Sequence, residues 1–264
     1  MASPESLRTT QAAIEVRDLT VRFGGLNAVD ALTFTVNAGA IKGIIGPNGA
    51  GKTTLFNAIS GVIAPTRGSV ALDGQDITAL RPHQRAARGM SRTFQNLQLF
   101  AEMSVLENVL TGAHPRMQGG WWAGLFGLGG AQQHAFETEA RRLLGALGLE
   151  SRAGDRAADL GFADAKLLEI ARAMAAKPKV LLLDEPIAGV PLEDQNRILE
   201  VIRGINAEGV TIVLVEHNMR VVMSACHDIL VVNYGKRLAE GAPAEVARDP
   251  EVIRAYLGAE PIYA

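Results

Sequence analysis

The residues most capable of chemistry lie between positions 46 and 54, where three glycines precede a lysine and two threonines. This segment fits the pattern G-x-x-x-x-G-K-[ST]. In such a segment the glycines let backbone N–H groups turn inward around phosphate oxygens, the lysine supplies positive charge, and a hydroxyl can bind Mg²⁺. The pattern predicts a nucleoside triphosphate site, and the alternative is a glycine turn with a surface lysine. The expected nucleotide-binding residues are Asn48, Gly49, Ala50, Gly51, Lys52, Thr53 and Thr54, with Thr53 also a magnesium ligand.

The sequence on either side of this segment favours the first interpretation. Residues 41–45 are typical of a strand and residues 55–59 of a helix. A helix that starts here would direct its N-terminal amides, and the positive end of its dipole, at a bound anion.

Two acidic residues, Asp184 and Glu185, come directly after the short apolar run 180–183. In an open α/β sheet the end of such a strand faces the ligand crevice. There, Asp184 could hold magnesium through water, and Glu185 could orient or deprotonate an attacking water. By itself the pair could equally be a surface turn, but together with the phosphate loop it indicates phosphoryl chemistry.

Two further polar residues lie at element ends. His217 follows the apolar run 210–215, so we expect it to contact a γ-phosphate, although a lone histidine is more often structural. Gln95 lies where β-type sequence gives way to helical sequence. It could contact magnesium and relay the state of the γ-phosphate to the helices that follow, or it could be an ordinary loop residue.

The elements that must position these residues alternate along the chain. Runs at 14–16, 19–23, 32–36 and 68–74 are β-type, and the period turns helical from about residue 97. Further strands are predicted at 180–183, 210–215 and 229–232, with a helix over 166–176. Because helix and strand alternate around a phosphate loop, we predict an α/β fold with a parallel sheet covered by helices.

Within the helical region, Ser104 and Glu107 have the spacing of a capping box. Apolar residues from Phe136 to Leu147 recur at helical spacing and predict one buried stripe. The glycine-rich segment 119–130 contains Trp121 and Trp122. It is interpreted as a loop that either contacts a membrane-embedded partner or folds onto its own protein.

Composition argues against several classes of protein. The chain has 264 residues, a net charge of -2 and one cysteine, Cys226. The near-neutral charge argues against a nucleic-acid partner, and a single cysteine cannot form an internal disulfide. The first residues lack the apolar stretch of a signal peptide, and no uncharged apolar run is long enough to cross a bilayer. Any work at a membrane is therefore expected to involve a partner.

Taken together, these motifs resemble the ATP-binding cassette (ABC) family over roughly residues 14–258. The resemblance implies a P-loop NTPase (RecA-like) parallel sheet with an antiparallel β subdomain and an inserted α-helical subdomain. It implies an ATP-binding domain over 12–258, with the core and β subdomain formed by 12–95 plus 162–258 and the helical subdomain by 96–161. It also implies ATP and Mg²⁺ as cofactors.

The same resemblance assigns a role to each motif. Residues 46–54 become the Walker A loop, Asp184 and Glu185 the Walker B pair, Gln95 the Q-loop residue and His217 the switch histidine. Phe23 is implied to stack on adenine, whereas without the resemblance it is better interpreted as a core aromatic of a strand.

The segments 92–96, 168–173, 184–186, 241–246 and 250–258 look like the ATPase subunits of branched-chain amino-acid importers. That branch also carries other amino acids, amides and small organic acids. It implies two transmembrane permease subunits, a second cassette ATPase and, indirectly, a solute-binding protein as partners. It also implies a cytoplasmic location on the inner face of the membrane.

The match fails at the family's signature loop, ideally L-S-G-G-Q, where the chain has residues 160–164. Gly161 lacks the serine hydroxyl, and Ala163 adds a methyl group to a loop that closes over the partner's ATP. Asp164 either faces that nucleotide, at a cost of about 3 kcal/mol for each charge pair, or caps the following helix. Pro191 replaces an expected Asn or Asp in the D-loop. These departures favour a heterodimer with unequal sites.

Two other functions stay open at this point. The altered signature is compatible with a regulatory cassette that holds nucleotide and hydrolyses little of it. A soluble ABC ATPase of DNA repair or translation is also possible. That class predicts a long coiled-coil insert or tandem cassettes, and the sequence has neither.

Overall fold

Two β-sheets organise the part of the chain that the structure, a computed structural model, describes: residues 11–93, 97–116 and 130–257. The strands are β1 (Ala12–Phe23), β2 (Leu26–Asn37), β3 (Ile41–Ile45), β4 (Arg67–Leu72), β5 (Gln75–Asp76), β6 (Met90–Arg92), β7 (Val180–Asp184), β8 (Thr211–Val215), β9 (Asp228–Asn233) and β10 (Lys236–Gly241). The helices are α1 (Lys52–Ser60), α2 (Pro82–Ala87), α3 (Val105–Gly112), α4 (Gly130–Ala146), α5 (Phe162–Met174), α6 (Leu192–Ala207), α7 (Met219–Ala225), α8 (Pro243–Val246) and α9 (Pro250–Leu257).

The larger sheet has the strand order β10-β9-β3-β8-β7-β6. Its strands from β9 to β6 pair in parallel, and β10 adds an antiparallel edge. Every residue of β3, β7 and β8 is buried, as expected for strands covered on both faces. The predicted α/β class is therefore confirmed. The carboxyl ends of β3, β8, β7 and β6 meet at one edge of this sheet.

The smaller sheet is antiparallel, with the order β2-β1-β4-β5. The runs predicted as separate strands at 14–16 and 19–23 form one strand, β1. Asp18 lies between them at φ 46°, and the register of β1 against β2 shifts between Val16 and Leu19. The amide of Asp18 donates to Oγ1 of Thr33 on β2 at 2.8 Å, so this irregularity is accommodated without separating the strands.

Helices α3, α4 and α5 lie between β6 and β7 in the chain. The capping box at the start of α3 is confirmed, since Oγ of Ser104 accepts from the amide of Glu107 and the Glu107 carboxylate accepts from the amide of Ser104. The predicted apolar stripe lies on α4 and the residue after it: Ala140, Leu144 and Leu147 are buried, and Phe136 and Leu143 are partly buried against the same core. Most of the tryptophan-containing segment lies outside the described residues. Among the described helices, none has both the length and the apolar character needed to span a bilayer.

Candidate functional site

The phosphate loop (residues 46–54) connects β3 to α1, and its backbone requires glycine at two positions. Gly46 has φ 154°, and a Cβ there would lie 2.0 Å from the carbonyl oxygen of Val232. Gly51 has φ 101°, and its Cβ would lie 2.2 Å from the carbonyl oxygen of Ala28. Any other residue would push the loop away from β9 and β2. The glycines therefore hold the loop close to both strands.

The start of α1 suits a bound anion. Its N-cap is Gly51, which offers no side-chain hydrogen bond, and the first turn contains no acidic residue. The N-terminal amides of a helix have no partner within the helix, so here they can donate to phosphate oxygens.

The side chain of Lys52 folds back over the first residues of the phosphate loop. Its Nζ donates to the carbonyl oxygens of Gly46 at 2.6 Å and of Pro47 at 3.0 Å. Burial lowers the pKa of Lys52, and the nearby charge of Glu185 partly opposes that shift. The ammonium group thus lies inside the loop, beside the acidic end of β7.

A cavity of about 390 Å³ opens beside this loop. Amides, an ammonium group, hydroxyls and a carboxylate all reach it, and this set of groups fits a Mg·nucleoside triphosphate. Seven of its lining residues are the nucleotide-binding residues predicted from the sequence, Asn48 to Thr54. The cavity is also lined by Leu26, Asn27, Ala28, Glu185, Tyr234 and Gly235.

Asp184 ends β7 and is buried, with its side chain 2% exposed. Burial raises the pKa of Asp184, and the positive charge of Arg92 opposes this rise. Nη2 of Arg92 donates to Oδ2 of Asp184 at 2.9 Å, and Oγ1 of Thr93 accepts from the Asp184 amide at 3.3 Å. Both partners lie on or just after β6. No separate role for Arg92 was predicted from the sequence.

Glu185 has a backbone conformation that is unusual outside glycine, with φ 49°. Its amide donates to the carbonyl oxygen of Val215 at the end of β8, at 2.9 Å. This hydrogen bond fixes Glu185 to the end of the neighbouring strand, where Oε1 of Glu185 lies 3.9 Å from Nδ1 of His217. Strained backbone of this kind is concentrated at functional sites. The structure thus brings together a carboxylate and an imidazole that are 32 positions apart in the sequence.

Glu216 holds the turn that carries His217, and the sequence analysis missed it. It is buried, and burial raises its pKa. Its Oε2 accepts from the amides of His217 at 3.2 Å and Asn218 at 3.4 Å, while Oε1 accepts from the Ile187 amide at 3.3 Å. The available signal was a carboxylate placed directly after the apolar residues that end β8, where an unpaired charge would not be tolerated.

The remaining predicted residues have different outcomes. Gln95 lies outside the described residues. Phe23 ends β1 and is 52% exposed, but it does not line the cavity beside the phosphate loop. Tyr234, which the sequence analysis did not consider, does line that cavity; it is 84% exposed and lies in the turn between β9 and β10. The available signal for Tyr234 was its position directly before Gly235, since glycine is typical of turns.

Asp164 does not cap α5, so that interpretation is wrong. The helix begins at Phe162 with Gly161 as its N-cap, which places Asp164 inside the first turn. Its carboxylate accepts instead from Arg197 at 2.7 Å and Arg152 at 3.2 Å. Pro191 is the N-cap of α6, where its missing N–H has no consequence for the helix.

A glycine-rich phosphate loop ahead of α1, with acidic residues at the ends of neighbouring parallel strands, defines a P-loop nucleoside triphosphatase. The family model described as "ABC transporter" matches residues 29–188, and one described as "Branched-chain amino acid ATP-binding cassette transporter" matches residues 236–261. The chain belongs to the ABC transporter family, and it is an ATPase of that family.

Individual relatives agree with this assignment. The chain is 41% identical over 249 residues to the high-affinity branched-chain amino acid transport ATP-binding protein BraF of Pseudomonas aeruginosa, covering 93% of this chain and 97% of BraF. It is 40% identical to LivG of Escherichia coli, a protein described in the same words, over 94% of this chain and 99% of LivG. The ADP conformation of an ATP-binding cassette of an ABC transporter superposes with a TM-score of 0.83 at 32% identity, over 94% of this chain and 100% of that one.

Proposed function

We propose that this chain binds Mg·ATP and hydrolyses it to energise an importer of branched-chain or related amino acids, amides or small organic acids. The observation that carries the proposal is that Lys52 and Glu185 line one cavity, with Asp184 next to Glu185 at the end of β7. The match of residues 236–261 and the identity to BraF and LivG support the class of cargo.

The residues act as follows in this proposal. Asn48 to Thr54 bind the phosphates through backbone amides, the Lys52 ammonium and the Thr54 hydroxyl. Thr53 and Asp184 hold Mg²⁺, the latter through water, with Gln95 as a further ligand. When bound by these residues, Mg²⁺ would supply positive charge to the phosphate oxygens.

Glu185 orients the attacking water and accepts its proton. His217 contacts the γ-phosphate. The separation of 3.9 Å between Nδ1 of His217 and Oε1 of Glu185 is longer than a hydrogen bond, and one water or phosphate oxygen placed beside the pair can contact both side chains. Phe23 stacks on the adenine ring.

The chain organisation follows the same proposal. Residues 12–258 form one ATP-binding domain, in which 12–95 and 162–258 form the core with the β subdomain and 96–161 form the helical subdomain. The chain lies in the cytoplasm on the inner face of the membrane and contacts two transmembrane permease subunits. A solute-binding protein is an indirect partner of this chain.

We further propose that its partner is a different cassette ATPase. The absence of a serine hydroxyl at Gly161 and the methyl group of Ala163 weaken what this chain offers to ATP on the partner. Pro191 removes a polar side chain from the same face. Its own phosphate loop has no such departure, so hydrolysis should occur chiefly at the site built on this chain's Walker A loop.

Two substitutions in the assembled transporter test the function. Lys52→Ala should lower ATP affinity by about a hundredfold or more, because it removes a charge that contacts phosphate in a partly buried site. Glu185→Gln should leave ATP affinity nearly unchanged and lower hydrolysis by about a hundredfold or more. Calorimetry and steady-state turnover measure these effects.

Matched controls are Lys179→Ala, whose lysine pairs with Asp73 away from the site, and Glu193→Gln in the first turn of α6. Neither should change binding or turnover. Near-normal hydrolysis in the Glu185→Gln transporter would refute the assigned active site. Uptake of labelled leucine, an amide and a small organic acid by the wild-type transporter distinguishes the cargo classes.

A further inference from the structure

Arg92, the last residue of β6, connects two elements that approach the nucleotide site from different directions. One is α1, which carries Thr53 in its first turn. The other is the end of β7, which carries Asp184. Nη2 of Arg92 donates to Oδ2 of Asp184 at 2.9 Å, and Nη1 donates to Oδ1 of Asn57 at 2.6 Å and to Oγ of Ser60 at 2.8 Å.

The guanidinium is held in place by packing as well as by hydrogen bonds. It lies over the ring of Phe56, 4.8 Å from the ring centroid, and only 12% of the side chain is exposed. A planar fork with several donors can bond to α1 and to Asp184 at the same time while it stacks on an aromatic ring. Lysine has one point of charge and cannot reproduce this set of contacts.

This arrangement matters because Mg²⁺ demands a nearly regular octahedron of ligands at short distances. Two of the protein ligands proposed above, Thr53 and Asp184, come from the first turn of α1 and from the end of β7. Their relative position therefore depends on how these two elements are fixed to each other. Among the described residues, Arg92 donates hydrogen bonds to side chains of both elements.

We propose that Arg92 is a positioning residue that fixes Asp184 relative to α1 and so prepares the magnesium site. The proposal rests on the function proposed above, in which Thr53 and Asp184 hold the metal. Arg92 acts through Asp184 and contacts neither phosphate nor metal itself. Residues that orient a metal ligand typically change metal affinity by about 10- to 100-fold when they are removed.

The test compares nucleotide affinity in excess Mg²⁺ with affinity in EDTA, measured by calorimetry on the full-length chain. The ratio of the two affinities reports how strongly the metal assists nucleotide binding. Arg92→Met should lower this ratio by about tenfold. Its affinity in EDTA should stay within about twofold of wild type, because the phosphate loop is untouched. Arg92→Lys should lower the ratio too, since it cannot span both elements.

Arg116→Met is the matched control. Arg116 also donates to a carboxylate, Glu139 at 3.0 Å, and to a backbone carbonyl, Ala175 at 2.9 Å. It also stacks on an aromatic ring, that of Phe136 at 5.2 Å. Its removal should lower stability without changing the metal-dependent ratio.

If Arg92→Met does not fold, Asn57→Ala decides the question, because it removes one contact to α1 and leaves the pair with Asp184 in place. It should lower the ratio by about threefold, a loss on the scale of one hydrogen bond.

An unchanged ratio in the folded variants would overturn the proposal. An equal loss of affinity with and without the metal would overturn it as well, since that result means general damage to the nucleotide site. Failure of the wild-type chain to bind ATP would instead refute the proposed function.

Discussion

Asp164 and Arg197 form an ion pair in which Oδ1 of Asp164 lies 2.7 Å from Nη1 of Arg197. The second carboxylate oxygen pairs with Arg152 at 3.2 Å. Arg197 lies on α6, and it also donates to the carbonyl oxygen of Leu147 at the end of α4. The Asp164 carboxylate therefore links the start of α5 to α6, and Arg197 extends this link to Leu147, the residue after α4. The guanidinium groups of Arg152 and Arg197 balance the charge of the carboxylate.

We expect Asp164→Asn to change ATP hydrolysis by the assembled transporter within about fivefold, because a partly exposed ion pair contributes about 1 kcal/mol or less. A carboxylate directed at the partner's nucleotide would behave differently, since its removal should accelerate turnover by about a hundredfold. Asp155→Asn removes another partner of Arg152, at 2.9 Å, and serves as the control for the change in charge. Strong acceleration in the Asp164 variant alone would contradict the paired state.

His217→Ala should lower turnover by about tenfold to a hundredfold while ATP affinity stays within about threefold of wild type. The reason is that the imidazole lies beside Glu185, where the attacking water must be placed, and not beside the amides that hold the phosphates. His134→Ala, at an exposed position on α4, is the control. Equal losses in affinity and turnover would show that His217 contributes to ground-state binding.

Two aromatic side chains are available to the adenine ring, and their substitution distinguishes them. Phe23 is the residue implied by the family resemblance, whereas Tyr234 is the aromatic residue that lines the cavity. Removing a stacked aromatic ring should cost about 1 kcal/mol, or about a fivefold loss of ATP affinity. We expect Phe23→Ala to show this loss when ATP is compared with inorganic triphosphate, and Tyr234→Ala not to. The reverse result would transfer the adenine contact to Tyr234.

Arg85 is a buried arginine with a structural role. It donates to the carbonyl oxygens of Ala58 at 2.9 Å, Leu80 at 3.0 Å and Thr78 at 2.9 Å, and also to that of Ile59. Arg85→Met would leave these buried carbonyls without donors and should lower the free energy of unfolding by about 3 kcal/mol, measured in urea.

Arg88→Met, on the same short segment but exposed, is the control and should change the free energy of unfolding by about 0.5 kcal/mol or less. A similar small effect of Arg85→Met would contradict this role, because it would mean that water satisfies the carbonyls when the guanidinium is absent.

Cys226 reports on folding because it is the single cysteine and is buried. Burial raises the pKa of its thiol to about 12. At pH 8 the native thiolate fraction is therefore about a thousandfold below that of an unfolded chain, since the ordinary thiol has a pKa near 8.5. We expect a thiol reagent at pH 8 to react only as fast as the protein opens, with the rate rising in urea. A native rate that matches the denatured rate would contradict this burial.

Local sequence was sufficient for some of these features. The phosphate loop was predictable because its glycines, lysine and threonines lie within nine consecutive residues. The contacts that require glycine, such as that between Gly46 and Val232, come from distant strands and were not visible in the sequence. The capping box of Ser104 and Glu107 is likewise contained within one turn of helix. The strand β1 was predicted in two pieces, because its continuity through Asp18 depends on pairing with β2 and β4 rather than on residue type.

Other features could not be predicted from the sequence because they involve residues far apart in the chain. Arg92 contacts Asp184 across 92 positions, and Asp164 contacts Arg197 across 33. In both cases the charged residues could be seen in the sequence, but which residue each one pairs with could not. Glu216 was similarly visible as a charge at a strand end, without any sign of the three amides that it accepts from.

By itself the sequence determined which chemistry is available: phosphate binding, two carboxylates and a histidine, each at the end of an apolar run. Periodicity and motif spacing are local properties, so they also determined the alternation of strands and helices. Only the tertiary structure decided which of these groups meet, because the order of strands in the sheet brings the ends of β6, β7, β8 and β3 to one edge. It also decided that Asp164 pairs with two arginines of its own chain, because α5 begins at Phe162 and Asp164 therefore lies inside the helix and not at its N-cap.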